Sequence, residues 1–365
     1  MLMDKMKVAK ALSKVIEPQT GKDLISLNIV TGLEVDDKTI SFTIEVPSAN
    51  YPHKGALNMA AQTAMLEVYP EAEVHVHMSV GKQPQRPTAP RRILPQVKNI
   101  IAVASGKGGV GKSTVSVNLA LSLKSQGARV GLIDADLYGP SIPTMLGLKG
   151  LRPKVKDVNG KPVLLPLDYK GMPVMSIGFI IEPEQAVVLR GPRLGGIIKQ
   201  FFNDCEWPEL DYLVIDLPPG TGDIQLTLVQ TVPVTGVVLV TTPQQVSYAD
   251  AVKAMNMFLL PNVNVPILGV VENMSWFTPA ELPDNKYYLF GKGAGEKLSA
   301  ASSSGLLGQV PLIQSVQEGG DSGNPAAMQS GPAQEIFEGI AKKLVAHVEK
   351  RNAERAPTSP VEIKI

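Results

Sequence analysis

Cysteine is almost missing from this chain: Cys205 stands alone among 365 residues. No intrachain disulfide can form, and one protomer cannot assemble a Cys-x-x-Cys redox pair or a cysteine-rich metal site. An excess of charge of either sign is missing as well. Lys and Arg number 35 against 34 Asp and Glu, leaving a formal +1, so no global field draws the chain toward nucleic acid or an anionic membrane. No apolar run approaches the roughly 18 residues that cross a bilayer, and the opening Met-Leu-Met-Asp-Lys-Met-Lys has no apolar signal core. The expectation is a cytoplasmic protein with no nucleic-acid or membrane partner. With 44% hydrophobic and 19% charged residues the chain reads as globular, and its length suffices for about two domains with buried cores.

The most informative stretch runs from Ile100 to Ser116. Ile100, Ile101 and Val103 supply a short apolar run suited to a buried strand, and Gly106, Gly108, Gly109 and Gly111 follow it. Gly106 to Ser113 fits G-x-x-x-x-G-K-[ST] letter for letter. Glycines at that spacing let successive backbone N–H groups point inward at phosphate oxygens, and the helix that follows adds the positive end of its dipole. The cradle predicted is Gly106, Lys107, Gly108, Gly109, Val110, Gly111, Lys112, Ser113 and Thr114. Lys112 reaches the β- and γ-phosphates, and Ser113 ligates Mg²⁺.

From Val97 onward strand and helix patterns alternate, which predicts an α/β fold: a mostly parallel sheet sandwiched by helices. Strand candidates after the first are 129–134, 173–177, 212–217, 236–241 and 267–272, with the near-continuous Val, Ile and Leu content of strands buried on both faces. Ligands of such sheets collect at the carboxyl ends of the strands. Asp134 and Asp136 fall there, where they could hold Mg²⁺ through water or orient an attacking water. Asp216, ending Tyr-Leu-Val-Ile-Asp, fits a strand that delivers one carboxylate to Mg²⁺. Each alone could be a helix cap.

Residues 1–81 read as a small α+β domain. Val8, Leu12, Val15 and Ile16 recur at helical spacing; Ile40, Phe42, Ile44 and Val46 alternate; a second helix fits 53–68; Val74, Val76, Met78 and Val80 alternate again. His75 and His77 fall on the opposite face of that last strand, where solvated histidines are expected because no further zinc ligands stand nearby. Residues 82–96, with Pro84, Pro87, Pro90, Pro95, Arg86, Arg91 and Arg92, read as a linker. An ATPase domain over 97–350 and a flexible tail over 351–365 complete the division. In the last helix, Ile336, Phe337, Ile340, Leu344 and Val348 share a face, and docking onto the sheet is expected, since Glu335, Glu338 and Glu349 dilute the cationic face a membrane helix wants.

Lys107 to Thr114, Lys-Gly-Gly-Val-Gly-Lys-Ser-Thr, resembles the deviant Walker A signature of the MinD/ParA/nitrogenase-iron-protein ATPases. The resemblance implies that Lys107 crosses a face-to-face homodimer and neutralises charge on the partner's nucleotide, as an arginine finger does; a solvated lysine is the alternative. Asn273, in Glu272-Asn273-Met274, resembles the base-reading asparagine of that class. The guanine-reading string Asn-Lys-x-Asp is not completed by Asn285-Lys286-Tyr287-Tyr288, so ATP is favoured over GTP.

Residues 132–141, Leu189-Arg190-Gly191-Pro192, residues 222–227 and Val240-Thr241-Thr242-Pro243-Gln244 are similar to the Mrp/ApbC branch of that class. The N-terminal order helix, strand, strand, helix, strand is similar to the MIP18-like (DUF59) domain fused to iron–sulfur assembly ATPases. Membership implies a homodimeric, Mg²⁺-dependent ATPase that carries an iron–sulfur cluster and hands it to apoprotein recipients. Two departures stand against the cluster. The cysteine usual after the second N-terminal strand is absent from Pro47-Ser48-Ala49-Asn50-Tyr51-Pro52, and the Cys-x-x-Cys usual after Glu-Asn-Met is absent from Trp276 to Phe290. Glu281 and Asp284 in that segment are hard oxygen donors, and Cys205 reads as a small buried hydrophobe. The competing reading is a ParA/MinD-like positioning ATPase, an ATP-dependent dimeric scaffold on DNA or membrane.

Overall fold

The computed structural model describes residues 4–27, 29–36, 38–48, 50–80, 93–136, 139–180 and 191–356. The chain divides into two compact units, residues 1–91 and 92–365.

The first unit holds α1 (Lys5–Leu12), β1 (Val30–Val35), β2 (Thr39–Val46), α2 (Lys54–Val68) and β3 (Glu73–Val80). Asp4 caps α1, its Oδ1 accepting the Met6 N–H at 2.8 Å. β1 and β2 pair antiparallel, and α2 carries the crossover to β3, which lies parallel to β2. The alternation of β2 is realised: Ile40, Phe42, Ile44 and Val46 are buried in one cluster with Val8, Leu12, Leu57 and Met65. Ile16 departs from expectation, being 52% exposed, because α1 ends at Leu12 and the chain turns. His75 and His77 are exposed on β3, and His75 Nε2 lies 3.3 Å from Glu73. Tyr51, in the turn expected to carry a cysteine in relatives, is buried and donates its hydroxyl to the buried Glu17 carboxylate. Burial alone would raise the Glu17 pKa, but that hydroxyl and the N–H groups of Gln19 and Thr20 outweigh it and hold the carboxyl at about 2.

In the second unit β4 (Val97–Ser105), β5 (Val130–Asp134), β8 (Leu167–Tyr169), β9 (Met172–Ser176), β10 (Leu210–Asp216), β11 (Gly236–Thr241), β12 (Ile267–Phe277) and β13 (Leu306–Leu312) form one sheet, with an exposed hairpin, β6 (Lys154–Val158) and β7 (Lys161–Leu165), beside it in sequence. The order is β13-β12-β11-β4-β10-β5-β9-β8, parallel except for the edge strand β8. Apolar residues on β4 alternate between two cores: Ile100, Ala102 and Ala104 enter one, Ile101 and Val103 the other. That is why its sequence is apolar without interruption. Helices α3 (Lys112–Ser125), α4 (Ile142–Met145), α5 (Gly191–Asn203), α6 (Asp223–Thr231), α7 (Gln245–Leu259), α8 (Ala294–Ala301), α9 (Gln314–Asp321) and α10 (Pro332–Glu354) cover the faces. The chain leaves β4 toward β5 on one side and later returns to place β11 on the other, so the crevice at the carboxyl end of β4 is the topological switch point.

Two boundaries differ from the sequence reading. Residues 93–96, assigned to the linker, belong to this unit: Leu94 is buried in its core, and the Gln96 carbonyl accepts the Leu210 N–H at 3.0 Å. The remainder of the proline and arginine tract, with Arg86, Arg91 and Arg92, lies outside the described residues. At the other end α10 continues to Glu354 rather than ending in a tail at 351, because Arg351 is buried and Asn352 Nδ2 donates to Asn99 Oδ1 at 2.9 Å; residues 357–365 lie outside the description. Phe337, Ile340, Leu344 and Val348 are buried, and α10 docks on β13 and α3. A Cβ on Gly308 would lie 2.6 Å from Ile340, so the glycine lets the helix close on the strand. The β6–β7 hairpin, absent from the sequence reading, turns through Asn159 (φ 55) and Gly160 (φ 77), the two-residue turn that an Asn-Gly pair signals. Among the described residues no helix is long and apolar enough to cross a membrane.

Candidate functional site

The glycine loop leaves β4 at Ser105 and enters α3 at Lys112. Gly109 (φ 81) and Gly111 (φ 80) adopt the left-handed region that side-chain-bearing residues rarely occupy. Gly106 is required for a different reason. A Cβ there would stand 2.1 Å from the Asp250 backbone of α7, so the loop can lie against that helix only without a side chain.

Three carboxylates converge on the start of α3. Lys112 Nζ lies 2.9 Å from Asp216 Oδ2 and 3.4 Å from Asp136 Oδ2. The Ser113 hydroxyl donates to Asp216 Oδ2 and the Ser116 hydroxyl to Asp216 Oδ1, each at 2.6 Å. Lys112 is 5% exposed and Asp216 fully buried. Burial opposes the lysine's charge, yet Asp216, Asp136 and Asp134 outweigh it and hold the ammonium above the ordinary lysine value.

Asp134 and Asp216 are direct neighbours on adjacent parallel strands. Burial first, then the charge of Asp216, pushes the Asp134 carboxyl up, against donation from Ser176 and the Asp136 N–H and the field of Lys112. Its Oδ2 accepts from the Ser176 hydroxyl at 2.8 Å and its Oδ1 from the Asp136 N–H at 3.1 Å. The sequence reading put Asp134 and Asp136 side by side at the metal or the water. In the structure Asp136 faces Lys112, while Asp134 is fully buried and braces the turn that carries Asp136. Leu137 and Tyr138, the next residues of that motif, lie outside the described residues, as do Leu189 and Arg190.

Asn273 meets the phosphate loop directly. Its Nδ2 donates to the Val110 carbonyl at 2.9 Å, and a Cβ on Gly111 would meet that same nitrogen at 2.1 Å. Through that nitrogen the amide expected at a base edge props the back of the phosphate loop. The next residue, Met274, has φ 56, an unusual conformation for a side-chain-bearing residue. Glu272, just before, anchors α8, accepting the Gly295 N–H at 2.7 Å and Gln309 Nε2 at 2.8 Å. Lys107 is half-buried and makes no ion pair among the described residues, while its carbonyl accepts from the Ser105 hydroxyl at 3.0 Å.

Ser116, Ser176 and Gln225 complete the site, and none was singled out from sequence. Gln225 is buried on α6, and its Nε2 donates to the carbonyls of Pro218 at 2.8 Å and Gly220 at 3.1 Å, fixing the loop that follows Asp216. The same loop is tied to β4 by the Gly220 N–H on the Ser105 carbonyl at 2.9 Å. Ser116 had a readable signal: it lies three residues beyond Ser113 on the same helical face. Gln225 lies close in sequence to the loop it ties, whereas Ser176 is 42 residues from the Asp134 it touches.

The residues present fit a magnesium nucleotide. The Ser113 hydroxyl and Asp216 already meet, and they are the hard oxygen donors Mg²⁺ takes alongside phosphates. They do not fit an iron–sulfur cluster. Cys205 is 8% exposed in the core, and burial followed by the neighbouring Glu206 pushes its thiol up to about 12. The segment where relatives of the Mrp/ApbC branch are expected to carry Cys-x-x-Cys instead brings the Trp276 and Tyr288 rings to 6.5 Å, with Lys286 Nζ 4.2 Å over the first and Lys292 Nζ 3.7 Å over the second.

Residues 96–345 match the family described as NUBPL iron-transfer P-loop NTPase, and residues 5–78 match the family described as iron-sulfur cluster assembly protein. The iron-sulfur cluster carrier protein of Synechocystis sp. is 44% identical over 343 residues, 93% of this chain and 97% of that protein. That of Deinococcus radiodurans is 41% identical over 95% of this chain and 97% of its own length. A solved nucleotide-binding protein of Archaeoglobus fulgidus, in complex with ADP, is similar with TM-score 0.57 and 36% identity over 67% of this chain and 93% of its own. On the loop, the aspartates it gathers and these likenesses, the chain belongs to the NUBPL iron-transfer P-loop NTPase family, with an iron-sulfur cluster assembly domain ahead of it.

Proposed function

We propose that the chain binds and hydrolyses ATP with Mg²⁺ as a homodimer, and that this cycle serves the delivery of iron–sulfur clusters, as cargo, to apoprotein recipients. The observation that carries the nucleotide part is the meeting of Lys112, Ser113 and Asp216 at the mouth of a glycine loop whose φ values suit a phosphate cradle. The names of the two full-length relatives support the cargo.

Mg²⁺, held by Ser113 and faced by Asp216, would neutralise charge on the β- and γ-phosphates. Backbone N–H groups of residues 108–113 hold the phosphate oxygens. Lys112 exchanges part of its contact with Asp216 and Asp136 for the phosphates, keeping its charge because carboxylates surround it. Asp136, relieved of that ammonium, orients the attacking water as acceptor of its proton. Asp134 keeps Asp136 in place. Lys107, half-buried and with no ion pair among the described residues, reaches the nucleotide of the second subunit.

Mixed dimers test the last point. Lys107→Ala and Asp136→Asn are each expected to abolish turnover. In a random mixture half of the dimers are mixed, and each of these has one site with an intact Asp136 and an intact lysine from across the interface. The mixture should therefore recover about a quarter of parental activity. No recovery, with ATP still bound, would remove the trans lysine and the dimeric site with it. A positioning ATPase is the weaker reading, because nothing in the +1 net charge provides a field for DNA or anionic lipid.

A further inference from the structure

We infer that this chain holds no iron–sulfur cluster on side chains of its own, and that the thiolates ligating its cargo belong to a second molecule. The inference rests on the delivery role proposed above and specifies the chemistry of its partner.

The argument is first one of supply. A two- or four-iron cluster takes four soft ligands, thiolates or, in one class, two thiolates and two imidazoles on one iron. The chain has one cysteine and four histidines, so two copies bring two sulfurs at most.

It is next one of place. Cys205 lies between the end of α5 and the start of β10, and Leu210 pairs with Val97, the first residue of β4. Asp216 lies at the other end of β10, seven residues of strand or roughly 20 Å away. Cys205 thus sits at the amino-terminal edge of the sheet, opposite the crevice where two nucleotide sites would face each other. It is packed in one core with Phe201, Phe202, Trp207 and Leu210. Two such cysteines cannot meet across the proposed interface without unpacking both cores.

The histidines do not make good the deficit. His347 Nδ1 is 2.6 Å from the Leu268 carbonyl, and His75 and His77 stand on β3 in the first unit with Glu73 as the near neighbour. Among the described residues no group of three or more His, Cys, Asp or Glu could hold a metal ion. Trp276 to Phe290 offers aromatic faces capped by ammonium groups, which donate no electron pair to iron.

A thiol-bearing second molecule, either a small thiol such as glutathione or a protein with its own cysteine set, supplies the missing ligands. The cluster stays on those thiolates while this chain contributes the nucleotide-driven change of shape.

The full chain and Cys205→Ala are incubated anaerobically with ferrous iron and sulfide, desalted, and assayed for iron, visible absorbance and retained ATP. Parallel samples contain glutathione, or a four-cysteine scaffold protein already loaded with cluster, with and without ATP. Alone, both chains should keep below about 0.1 iron, where one four-iron cluster shared by two copies would give about 2 per chain. Iron should co-elute with the chain in at least one thiol-supplied sample, and which one identifies the source. About two irons per chain on the chain alone overturns the inference, whether Cys205→Ala abolishes the binding or leaves it. Absence of co-eluting iron from both thiol-supplied samples overturns it equally. Loss of ATP retention would instead sink the proposed function, and the iron count would still decide the ligand question.

Discussion

Lys112 is the residue whose removal discriminates most sharply between a phosphate hook and a structural counter-ion. It is 5% exposed and faces Asp216 and Asp136 at 2.9 and 3.4 Å, with Asp134 beside them. Lys112→Ala leaves two fully buried carboxylates and a nearly buried third without a cation. Breaking a buried pair by removing one partner costs about 3–5 kcal/mol, a large share of the stability of an ordinary domain. Adding Asp216→Asn to that variant removes that residue's charge while leaving an oxygen to accept from one of Ser113 and Ser116 and an NH2 to donate to the other hydroxyl, and should restore most of the loss. The deficit also depends on pH. A buried carboxyl whose folded pKa lies above its unfolded value keeps its proton in the fold, so the fold loses stability as pH rises past the ordinary carboxylate value of about 4. Asp134 is raised even with Lys112 present, and without the ammonium that faces Asp216 and Asp136 the three-carboxylate cluster as a whole holds an additional proton in the fold. The deficit should accordingly be small near pH 5 and grow toward pH 8. Urea unfolding followed by tryptophan fluorescence reads this unit alone, because both tryptophans, Trp207 and Trp276, lie in it. A Lys112→Ala protein within about 0.5 kcal/mol of the parent at pH 8 would refute the counter-ion role, as would a double variant no more stable than the single one.

Three further outcomes are expected. Asn273→Ala strips the Val110 carbonyl of its donor and should weaken ATP and GTP alike by about 1–3 kcal/mol; equilibrium dialysis showing a loss confined to ATP would return the residue to base reading. Gly106→Ala drives a Cβ into the α7 backbone and should cost about 3 kcal/mol or more in thermal unfolding together with ATP binding, whereas Gly109→Ala, with open space and only its φ to strain, should cost about 1; equal penalties would contradict the geometry. In the first unit the folded pKa of Glu17 is about 2 against an ordinary 4.5, so its contribution is present above about pH 4.5 and lost as pH falls toward 2. Tyr51→Phe should therefore reduce amide protection at Gln19 and Thr20 at pH 6 more than at pH 3 and leave ATP binding unchanged; protection identical to the parent's at both pH values would count against the pair.

The nucleotide cradle was legible because its physics is local. Glycines, a lysine and a serine at fixed spacing follow a buried strand, and a contiguous segment holds them all. The strands were legible for a similar reason: burial on both faces writes an unbroken apolar run, as in Ile100 to Ala104. What escaped was set by distance in sequence or by absence of burial. β6 is exposed along its whole length and so carries no apolar pattern, although its Asn159-Gly160 turn was there to be read. Ser176 reaches Asp134 from 42 residues away. Asn273 was matched by analogy to a base reader, and only the approach of β12 to the loop shows that its nitrogen holds the Val110 carbonyl. The linker ran four residues too far because prolines dominated the reading, while Leu94 answers to a core partner that sequence cannot reveal.

β12 has a mechanical consequence. One rod of chain carries the anchor of α8 at Glu272, the prop beneath the phosphate loop at Asn273, and, three residues or about 10 Å further, the ring of Trp276 under its lysine. With Glu272 pinned on one side and the prop on the other, the bend at Met274 is where that rod can give. An indole so placed is a natural reporter: its fluorescence is expected to shift when nucleotide fills the loop, and an unchanged emission would show that the rod does not move.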